Sequence, residues 1–352
     1  MEKNKILVIF TGGTIGSTKT EQIIAPDTMA SFDLINRYQQ LQPHDIPTFV
    51  TRQPLCILSE NMIPEDWLIL ARSLHDANHY TGVIIAHGTD TLPHTATALS
   101  YLMSDLKVPV VITGSNYPLS DPRAEGTRNF SAAIDFIQNT KLPGVYVSFE
   151  NNLGQSIIHL GDRLMQASVF TDSFSSLGEA YFGCMKNGQF YWHDHPYNLT
   201  RGSIHPVKPK ISLKKAKFSN QLLYLRPQPG LEYSLFLQGR NKPLAILHDL
   251  YHSGTACTNP SDSSLSIMRL IKRAQKLDIP VYLAPIRHNF GDLYLSAREL
   301  RLAGALPLEN MTVEAAWVKL MLAYGSLESD NEIVRFMRST LLHEKLIYRV
   351  NQ

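Results

Sequence analysis

The sequence predicts an α/β protein with a larger N-terminal domain, built on a parallel sheet with flanking helices, and a smaller C-terminal α/β domain. Three observations predict this fold class. Short β-branched apolar runs alternate with helical patterns in the first half of the chain. A segment rich in Pro, Lys and Ser interrupts the alternation, and a second strand–helix alternation follows it. The 352 residues are enough for two ordinary domains.

In the first half, apolar runs bounded by turn residues predict the strands Lys5 to Phe10, Gly82 to Ala86, Val108 to Thr113 and Gly144 to Phe149. The predicted helices are Pro64 to Asn78, His94 to Leu106 and Ala124 to Gln138. The Pro-Glu-Asp sequence that begins at Pro64 suits a first helical turn. Because strands and helices alternate, we expect right-handed crossovers and helices on both faces of a parallel sheet.

The second half repeats the strand–helix alternation on a smaller scale. The predicted strands are Leu222 to Leu225, Leu244 to Leu247 and Val281 to Ala284. The predicted helices lie near Ser263–Lys276, Thr312–Tyr324 and Asn331–Leu342. The chain is therefore divided into an N-terminal domain of residues 1–195, a linker of residues 196–220 and a C-terminal domain of residues 221–352.

Composition excludes several classes of partner. The 33 basic and 31 acidic residues leave a formal net charge of +2, which gives no field that would attract nucleic acid or an anionic membrane. No apolar run approaches the ~20 residues that a membrane span requires. Five apolar residues precede Thr11, which suits a first strand better than a secretory segment. Cys56, Cys184 and Cys257 are odd in number and widely spaced, as in a reduced cytoplasmic protein with no disulfide framework.

Residues 8 to 16 read V-I-F-T-G-G-T-I-G, an apolar run that ends in a glycine-rich loop. A dinucleotide-binding loop needs G-x-G-x-x-G, and this frame places Thr11 where the first glycine should stand. A Walker loop is excluded because no Gly-Lys pair follows. The alternative is a loop that presents the Thr14 hydroxyl at the carboxyl edge of the sheet, where open α/β sheets bind ligands. A threonine hydroxyl becomes a nucleophile only when a neighbouring group helps to remove its proton.

A second loop of the same kind follows the next predicted strand. Residues 83 to 91 read V-I-I-A-H-G-T-D-T, so Thr89 supplies another hydroxyl and Asp90 supplies a carboxylate at a strand end. Taken alone, Asp90 also fits the N-cap of the helix that follows. His87 could act as a general base, but we interpret it as a buried imidazole satisfied by the backbone.

The two loops together resemble the signature pair of the bacterial-type L-asparaginases. Supporting matches are S-E-N-M-I-P-E-D-W at 59 to 67, I-T-G-S-N-Y-P-L at 112 to 119 and M-T-V-E-A at 311 to 315. The resemblance is to the cytoplasmic type I branch, and it covers nearly the whole chain, thinly from about 185 to 310. It implies an asparaginase fold and a homodimer or homotetramer. It also implies an amidohydrolase that converts the small molecule L-asparagine to L-aspartate and ammonia without a metal or an organic cofactor.

The resemblance also assigns roles to the matching residues. Thr14 would attack the side-chain amide carbon, ammonia would leave, and water would hydrolyse the resulting aspartyl ester. Thr89 would be the second catalytic hydroxyl. Asp90 would pair with the α-ammonium group of the substrate through a charge-assisted contact. Ser59 and the backbone around Glu60 would hold the α-carboxylate, and Glu60 itself could reach the ammonium.

Three positions depart from the family pattern. Ile24 stands where family members place a tyrosine in a mobile loop, and Gln166 stands where they place a lysine that supports the threonine–aspartate pair. No lysine occurs between Lys141 and Lys186, so a shifted alignment does not restore this lysine. Glutamine forms hydrogen bonds but neither carries a positive charge nor transfers a proton. The effector-binding cysteine of the type I branch falls near Arg287, in a shortened loop.

The loss of a general acid–base group typically lowers a rate by roughly 10²–10⁴-fold. Arg163 and His159 are the candidates near Gln166 in sequence to replace the lysine. A second hypothesis is a catalytically weakened homologue that binds an amide or acidic amino acid as a sensor or scaffold. A third is the asparaginase-like subunit of a tRNA amidotransferase. Such subunits carry an extra N-terminal domain, whereas the first motif begins ten residues into this chain.

Two further groups are interpreted as structural. His193 and His195 have the His-x-His spacing of some metal sites, but no third ligand follows nearby, so no metal is expected. Arg123 and Asn129 lie in D-P-R-A-E-G-T-R-N, a segment that resembles the family pattern. We expect them to fix the loop beside the site rather than to react.

Overall fold

The computed structural model describes residues 4–20, 23–26, 30–42, 46–287 and 294–348. The chain divides into two compact units, each described by itself. The first runs to Ala216 and takes up the chain again at Leu341, and the second spans Lys217–Thr340. The sequence-based boundaries differ, because they place everything after residue 220 in one C-terminal domain. The segment that begins at Leu341 belongs to the first unit, where Arg163 binds the backbone carbonyls of His343 and Lys345.

The strands of the first unit are, in chain order, β1 Lys5–Phe10, β2 Ser17–Thr20, β3 Ile23–Pro26, β4 Thr48–Arg52, β5 Gly82–Ala86, β6 Pro109–Thr113, β7 Gly144–Glu150, β8 Ser156–Leu160, β9 Leu164–Met165, β10 Ser175–Ser176, β11 Gly183–Lys186 and β12 Gln189–Trp192. The main sheet has the order β12-β11-β8-β7-β6-β5-β1-β4. From β4 to β7 all neighbours are parallel, whereas β8, β11 and β12 extend the sheet by antiparallel pairing. Two short pairs, β2 with β3 and β9 with β10, form separate sheets.

The helices of the first unit are α1 Ala30–Leu41, α2 Pro64–Ser73, α3 Leu92–Leu102 and α4 Gly126–Thr140. Helix α2 begins where the sequence predicts, because proline has a preset φ and no N–H to leave unpaired in the first turn. It ends five residues before the predicted end, and a separate 3₁₀ turn at Ala77–His79 follows. Helix α3 is buried along almost its whole length.

The apolar runs that predict strands form the core of the first unit. Every residue of β5 and of β6 is buried, as are the last five residues of β1. Successive strand side chains point to opposite faces, so complete burial means that both faces of these strands are covered. On one face, α1 and α4 contribute a cluster in which the rings of Tyr38, Phe49 and Phe130 pack within 6 Å of one another.

The second unit is a smaller parallel sheet with helices. Its strands are β13 Leu222–Leu225, β14 Ala245–His248, β15 Val281–Ile286 and β16 Leu306–Glu309, paired in that order and all parallel. Its helices are α5 Ile267–Gln275, α6 Leu295–Leu302, α7 Val313–Ser326 and α8 Asp330–Arg338. One stripe of α5, formed by Ile267, Leu270, Ile271 and Ala274, is buried in the core of this unit.

The predicted fold class is therefore confirmed, although four strands of the larger sheet were not predicted. Strand β4 extends its parallel part, and β8, β11 and β12 make the sheet mixed rather than purely parallel. Among the helices in the described ranges, none has both the length and the apolar character needed to cross a membrane.

Candidate active site

The two signature loops leave the same edge of the larger sheet. Strands β1 and β5 are parallel neighbours, and their last residues, Phe10 and Ala86, are directly paired. The next residue, Thr11, donates hydrogen bonds from its backbone N–H and from its hydroxyl to the carbonyl oxygen of Ala86, at 3.1 and 3.0 Å. Because the carboxyl ends of parallel strands lie at one edge, the two loops begin side by side.

Glycines bring the two loops into direct contact. Gly12 and Gly13 have φ values of +100° and +68°, a region that side chains other than glycine rarely adopt. A Cβ atom on Gly13 would lie 2.3 Å from the backbone nitrogen of Gly88 in the second loop. Thr14 follows at the start of a 3₁₀ turn, Thr14–Gly16, and is half-buried. Within the described ranges, no hydrogen bond engages its hydroxyl.

A third segment, which includes Ser59, joins the first two. The backbone N–H of Gly13 donates to the carbonyl oxygen of Ile57 at 2.8 Å. Two residues later, the hydroxyl of Ser59 accepts a hydrogen bond from the backbone N–H of Asp90 at 3.1 Å and lies 3.3 Å from the carboxylate oxygen Oδ2 of Asp90. The hydroxyl of Thr91 donates to the carbonyl oxygen of Ser59 at 2.8 Å. The structure thus gathers residues from three separate segments of the sequence.

The remaining residues predicted for the site lie on these segments. Ser59 is buried, with 4% of its surface exposed, whereas Glu60, next to it, is exposed. Thr89 is half-buried, and Asp90 is exposed. The buried hydroxyl of Ser59 therefore holds the backbone of the loop, while the carboxylates remain accessible to a ligand from solvent.

His87 lies beneath the loops and is completely buried. Burial lowers the pKa of His87 to about 4, so the ring is neutral near pH 7. Its Nδ1 lies 2.6 Å from the carbonyl oxygen of Gly88, an acceptor, so Nδ1 carries the proton. Its Nε2 lies 3.3 Å from the sulfur of Met62, and the hydroxyl of Thr95 donates to the same sulfur at 3.1 Å. The interpretation of His87 as a buried imidazole bonded to the backbone is confirmed.

A fourth loop follows β6 and contains the family match at residues 112 to 119. The sequence analysis did not identify its buried carboxylate, Glu125. Glu125 is 5% exposed, and it accepts hydrogen bonds from the backbone N–H of Asn116 at 2.6 Å and from the hydroxyl of Ser115 at 3.3 Å. Burial raises the pKa of this carboxyl group. Asn129 donates to the carbonyl oxygen of Gly114 at 3.0 Å and so fixes the loop, as predicted. The sequence signal would have been a carboxylate directly before a helix.

Arg123 also has a structural role in this loop, as predicted. Its guanidinium group pairs with Asp121 at 2.9 Å, and its central carbon lies 4.0 Å from the ring centroid of Tyr117. These contacts stiffen the exposed turn between β6 and α4.

Gln166 lies directly after β9, and its side chain is exposed. The buried turn before it, Gly161–Arg163, packs against α3, where the hydroxyl of Thr97 donates to the carbonyl oxygen of Gly161 at 3.4 Å. The chain then returns to the carboxyl edge of the sheet, since the side-chain amide of Asn116 donates to the carbonyl oxygen of Asp172 at 3.0 Å. The position of the family's lysine is thus on a segment that leads back to the site.

Both candidates near Gln166 in sequence, Arg163 and His159, are engaged in other contacts. The guanidinium group of Arg163, 1% exposed, donates to three backbone carbonyls, those of Tyr197 at 2.8 Å, Lys345 at 3.0 Å and His343. The Nδ1 of His159 lies 2.8 Å from the hydroxyl of Ser176, and burial lowers the pKa of His159 to about 3. The sequence gives no sign of these contacts, because the hydrogen-bond partners of Arg163 lie up to 182 residues away in the chain.

Three further positions singled out in the sequence are the His193–His195 pair, Ile24 and Arg287. In the described part of the chain, no cluster of three or more His, Cys, Asp or Glu side chains could hold a metal ion, and the ring of His193 stacks on Tyr181 at 3.7 Å. Ile24 is paired with Lys19 in the β2–β3 ribbon. Arg287 ends the described segment, and the loop at residues 288–293 lies outside the described residues.

Comparisons with known proteins agree on one family. The model described as "Asparaginase, N-terminal" matches residues 5–198. An L-asparaginase from Thermococcus kodakarensis is 28% identical over 348 residues, which are 97% of this chain and 98% of that relative. The solved thermostable L-asparaginase from the same organism has a TM-score of 0.79 at 27% identity and covers 97% of this chain and 99% of its own.

Two further similar proteins are an amidotransferase subunit and a more distant L-asparaginase. One of the subunits of the glutamyl-tRNA(Gln) amidotransferase from Sulfurisphaera tokodaii is 27% identical over 363 residues, 99% of this chain and 76% of that relative. The crystal structure of L-asparaginase I from Vibrio cholerae has a TM-score of 0.75 at 23% identity, with 98% and 100% of the two chains covered, and it shows the shared fold.

Proposed function

The chain belongs to the asparaginase family, and from that premise we propose that this amidohydrolase converts L-asparagine to L-aspartate and ammonia. The observation that carries the proposal is the convergence of loop segments at one edge of the larger sheet. The loops after β1 and β5 touch through Gly13 and Gly88, and the Ser59 turn binds Asp90. No metal or organic cofactor enters the proposal.

The chemistry assigned to each residue follows from its position. The half-buried hydroxyl of Thr14, at the start of the 3₁₀ turn that follows Gly12 and Gly13, would attack the side-chain amide carbon. Backbone N–H groups of such loops can stabilise the oxyanion that forms. Thr89 would assist the second step, in which water hydrolyses the ester. Asp90, with Ser59 and Glu60, would bind the charged α-groups of the free amino acid.

The proposed threonine nucleophile is tested by Thr14→Ala. We expect the variant to lose at least roughly 10³-fold in kcat for ammonia release from L-asparagine, since the acyl-enzyme cannot form. Thr51→Ala removes an exposed hydroxyl on β4 and serves as the matched control, with kcat unchanged. If the unaltered protein releases no more ammonia than Thr14→Ala, from L-asparagine, D-asparagine or L-glutamine, hydrolysis of these amides is rejected.

A catalytically weakened homologue is the second candidate, because Gln166 replaces the family's lysine. Such a protein would bind an amide or acidic amino acid as a sensor or scaffold. Calorimetry that shows micromolar binding of L-aspartate without turnover of L-asparagine would favour it. Restored turnover in Gln166→Lys would then identify the cause.

A tRNA-linked function is the third candidate. It is motivated by the 27% identity to one chain of a glutamyl-tRNA(Gln) amidotransferase over 99% of this chain. Ammonia release that increases on addition of glutamyl-tRNA(Gln) would support this function, and release that tRNA leaves unchanged would reject it. A homodimer or homotetramer in the cytoplasm is part of the first proposal, and light scattering on the purified protein tests the assembly.

A further inference from the structure

The proposed reaction needs the Thr14 hydroxyl to be held in one direction before a substrate arrives, and this inference rests on that proposed function. The side chain of Thr14 does not provide this direction by itself, because among the described residues no hydrogen bond engages its hydroxyl. The direction must therefore come from the backbone that leads into Thr14.

The peptide group between Gly13 and Thr14 follows a residue in an unusual conformation. Gly13 has φ of +68° and ψ of −179°, a combination that is essentially restricted to glycine and that persists only where surrounding contacts impose it. On one side of Gly13, its backbone N–H donates to the carbonyl oxygen of Ile57 at 2.8 Å. On the other side, the contacts that hold this conformation must engage the carbonyl group of Gly13, which belongs to the peptide that leads into Thr14.

Ser17 supplies the side chain that holds this carbonyl group. Its hydroxyl donates to the carbonyl oxygen of Gly13 at 2.6 Å, and the backbone N–H of Gly16 donates to the same oxygen at 3.1 Å. A carbonyl oxygen has two lone pairs, so these two donors occupy both. Ser17 is 4% exposed, so its hydroxyl is shielded from competing water. Gly16 contributes through its backbone, so Ser17 is the donor that a substitution can remove.

The orientation of this peptide group determines which groups Thr14 presents. A trans peptide group is planar, and its N–H points away from its carbonyl oxygen. Because the Gly13 oxygen is directed into the turn toward Ser17, the Thr14 N–H is directed the opposite way, where no acceptor among the described residues engages it. The next residue, Ile15, is 1% exposed and belongs to the hydrophobic core, which fixes the other side of the turn. Thr14 is thereby held with both its hydroxyl and its N–H available.

We propose that Ser17 is a positioning residue of the proposed reaction. Its hydroxyl holds the Gly13–Thr14 peptide group in the orientation from which the Thr14 hydroxyl attacks the amide carbon. Ser17 does not contact the substrate, because its side chain is buried and its hydroxyl is directed to Gly13. The contacts between Ser59 and Asp90 do not involve Ser17, so its loss should affect the reaction step more than substrate binding.

Ser17→Ala tests this role in the full chain. We expect kcat for ammonia release from L-asparagine to fall roughly 10–100-fold, because a small misplacement of a reacting group can lower a rate on the order of 10²-fold. KM should stay within about threefold of the unaltered protein. Ser17→Cys is measured beside it, since a thiol has a similar size but is a weak donor, and its kcat should fall at least roughly fivefold. Circular dichroism identifies which variant is folded like the unaltered protein.

Ser100→Ala is the matched control. The Ser100 hydroxyl also donates to the carbonyl oxygen four residues earlier, that of Ala96 at 2.7 Å, and Ser100 is likewise 4% exposed. Because it lies within α3, outside the loops of the candidate site, we expect a similar loss of stability in urea unfolding but an unchanged kcat. This comparison separates a positioning role from a structural one, since a structural role would affect both variants alike.

A kcat within threefold of the unaltered protein in the folded Ser17 variants, or an equal loss of kcat in Ser100→Ala, overturns the positioning role and leaves the proposed function standing. Ammonia release by the unaltered protein above that of Thr14→Ala tests the proposed function itself. Its absence overturns both the function and the role of Ser17, so the two failures are distinguishable.

Discussion

Ser59 and Asp90 hold each other through two contacts, since the Ser59 hydroxyl accepts from the Asp90 backbone N–H at 3.1 Å and lies 3.3 Å from the Asp90 carboxylate. These residues come from separate segments, and each would bind one charged end of an amino acid under the proposed function. The Ser59 turn is held from below as well, because the sulfur of Met62 lies close to His87 and Thr95. The binding groups are therefore set at a defined separation before a substrate arrives.

Removal of this hydroxyl is the first prediction. Ser59→Ala should raise KM for L-asparagine about tenfold or more, because the Asp90 loop loses its anchor and the substrate carboxylate loses a donor. The free energy of unfolding should fall by about 0.5–1.5 kcal/mol, since the partly buried backbone N–H of Asp90 loses its hydrogen bond. Steady-state kinetics and urea unfolding measure the two effects. Ser73→Ala, whose hydroxyl only donates within α2 to Leu70, should leave KM unchanged. An unchanged KM with lowered stability would limit Ser59 to a structural role.

The contact between the two signature loops is tested by Gly13→Ala. The added Cβ would lie 2.3 Å from the Gly88 nitrogen, and the backbone has φ of +68°, so both clash and strain are expected. Gly154→Ala is the matched control, because its φ is +74° and nothing lies within 4 Å of the added atom. Thermal unfolding should show a loss of about 1 kcal/mol for the control, from strain alone. The Gly13 variant should lose several kcal/mol more, and equal losses would refute the contact.

The third prediction concerns Arg163, which is 1% exposed. Arg163→Lys keeps the charge but cannot reach three carbonyls at once, so we expect a loss of about 3 kcal/mol or more in the free energy of unfolding. Hydrogen exchange of residues 341–348 should accelerate in this variant. Arg128→Lys, in an exposed pair with Glu150, is the control and should cost less than about 1 kcal/mol. Unchanged exchange in Arg163→Lys would contradict the assigned anchoring.

Stability should also depend on pH through the buried histidines. The pKa of His87 is lowered to about 4, whereas an unfolded chain gives it a pKa near 6.5. Between these values the unfolded chain binds a proton that the folded one does not, so stability falls as pH decreases from 6.5 to 4. The contribution of His87 should be about 2 kcal/mol between pH 7 and pH 5. Denaturant unfolding at both pH values measures the loss, and it should be smaller in His87→Asn; an equal loss contradicts the prediction.

The buried parallel strands were the easiest part of the fold to predict. β1 and β5 begin and end where the sequence predicts, because a run of buried β-branched residues bounded by turn residues has few alternative conformations. The strands β4, β8, β11 and β12 were missed. Gln189–Trp192 is only half-buried and lies at the edge of the sheet, so its pattern carries a weaker apolar signal.

The candidate site shows the same division between local and distant information. Thr14, Thr89 and Asp90 could be predicted to lie at one edge of the sheet because each follows a strand within a short motif, and strand ends are set locally. The role of Arg163 was not found in this way, because its contacts come from residues 197, 343 and 345.

The return of the chain to the first unit has a consequence for biosynthesis. Arg163 emerges from the ribosome about 180 residues before the carbonyls of His343 and Lys345 that it binds. Until then the guanidinium group has only the carbonyl of Tyr197 among its three carbonyl partners. We therefore expect the first unit to complete its folding only after residues 341–348 have been synthesised.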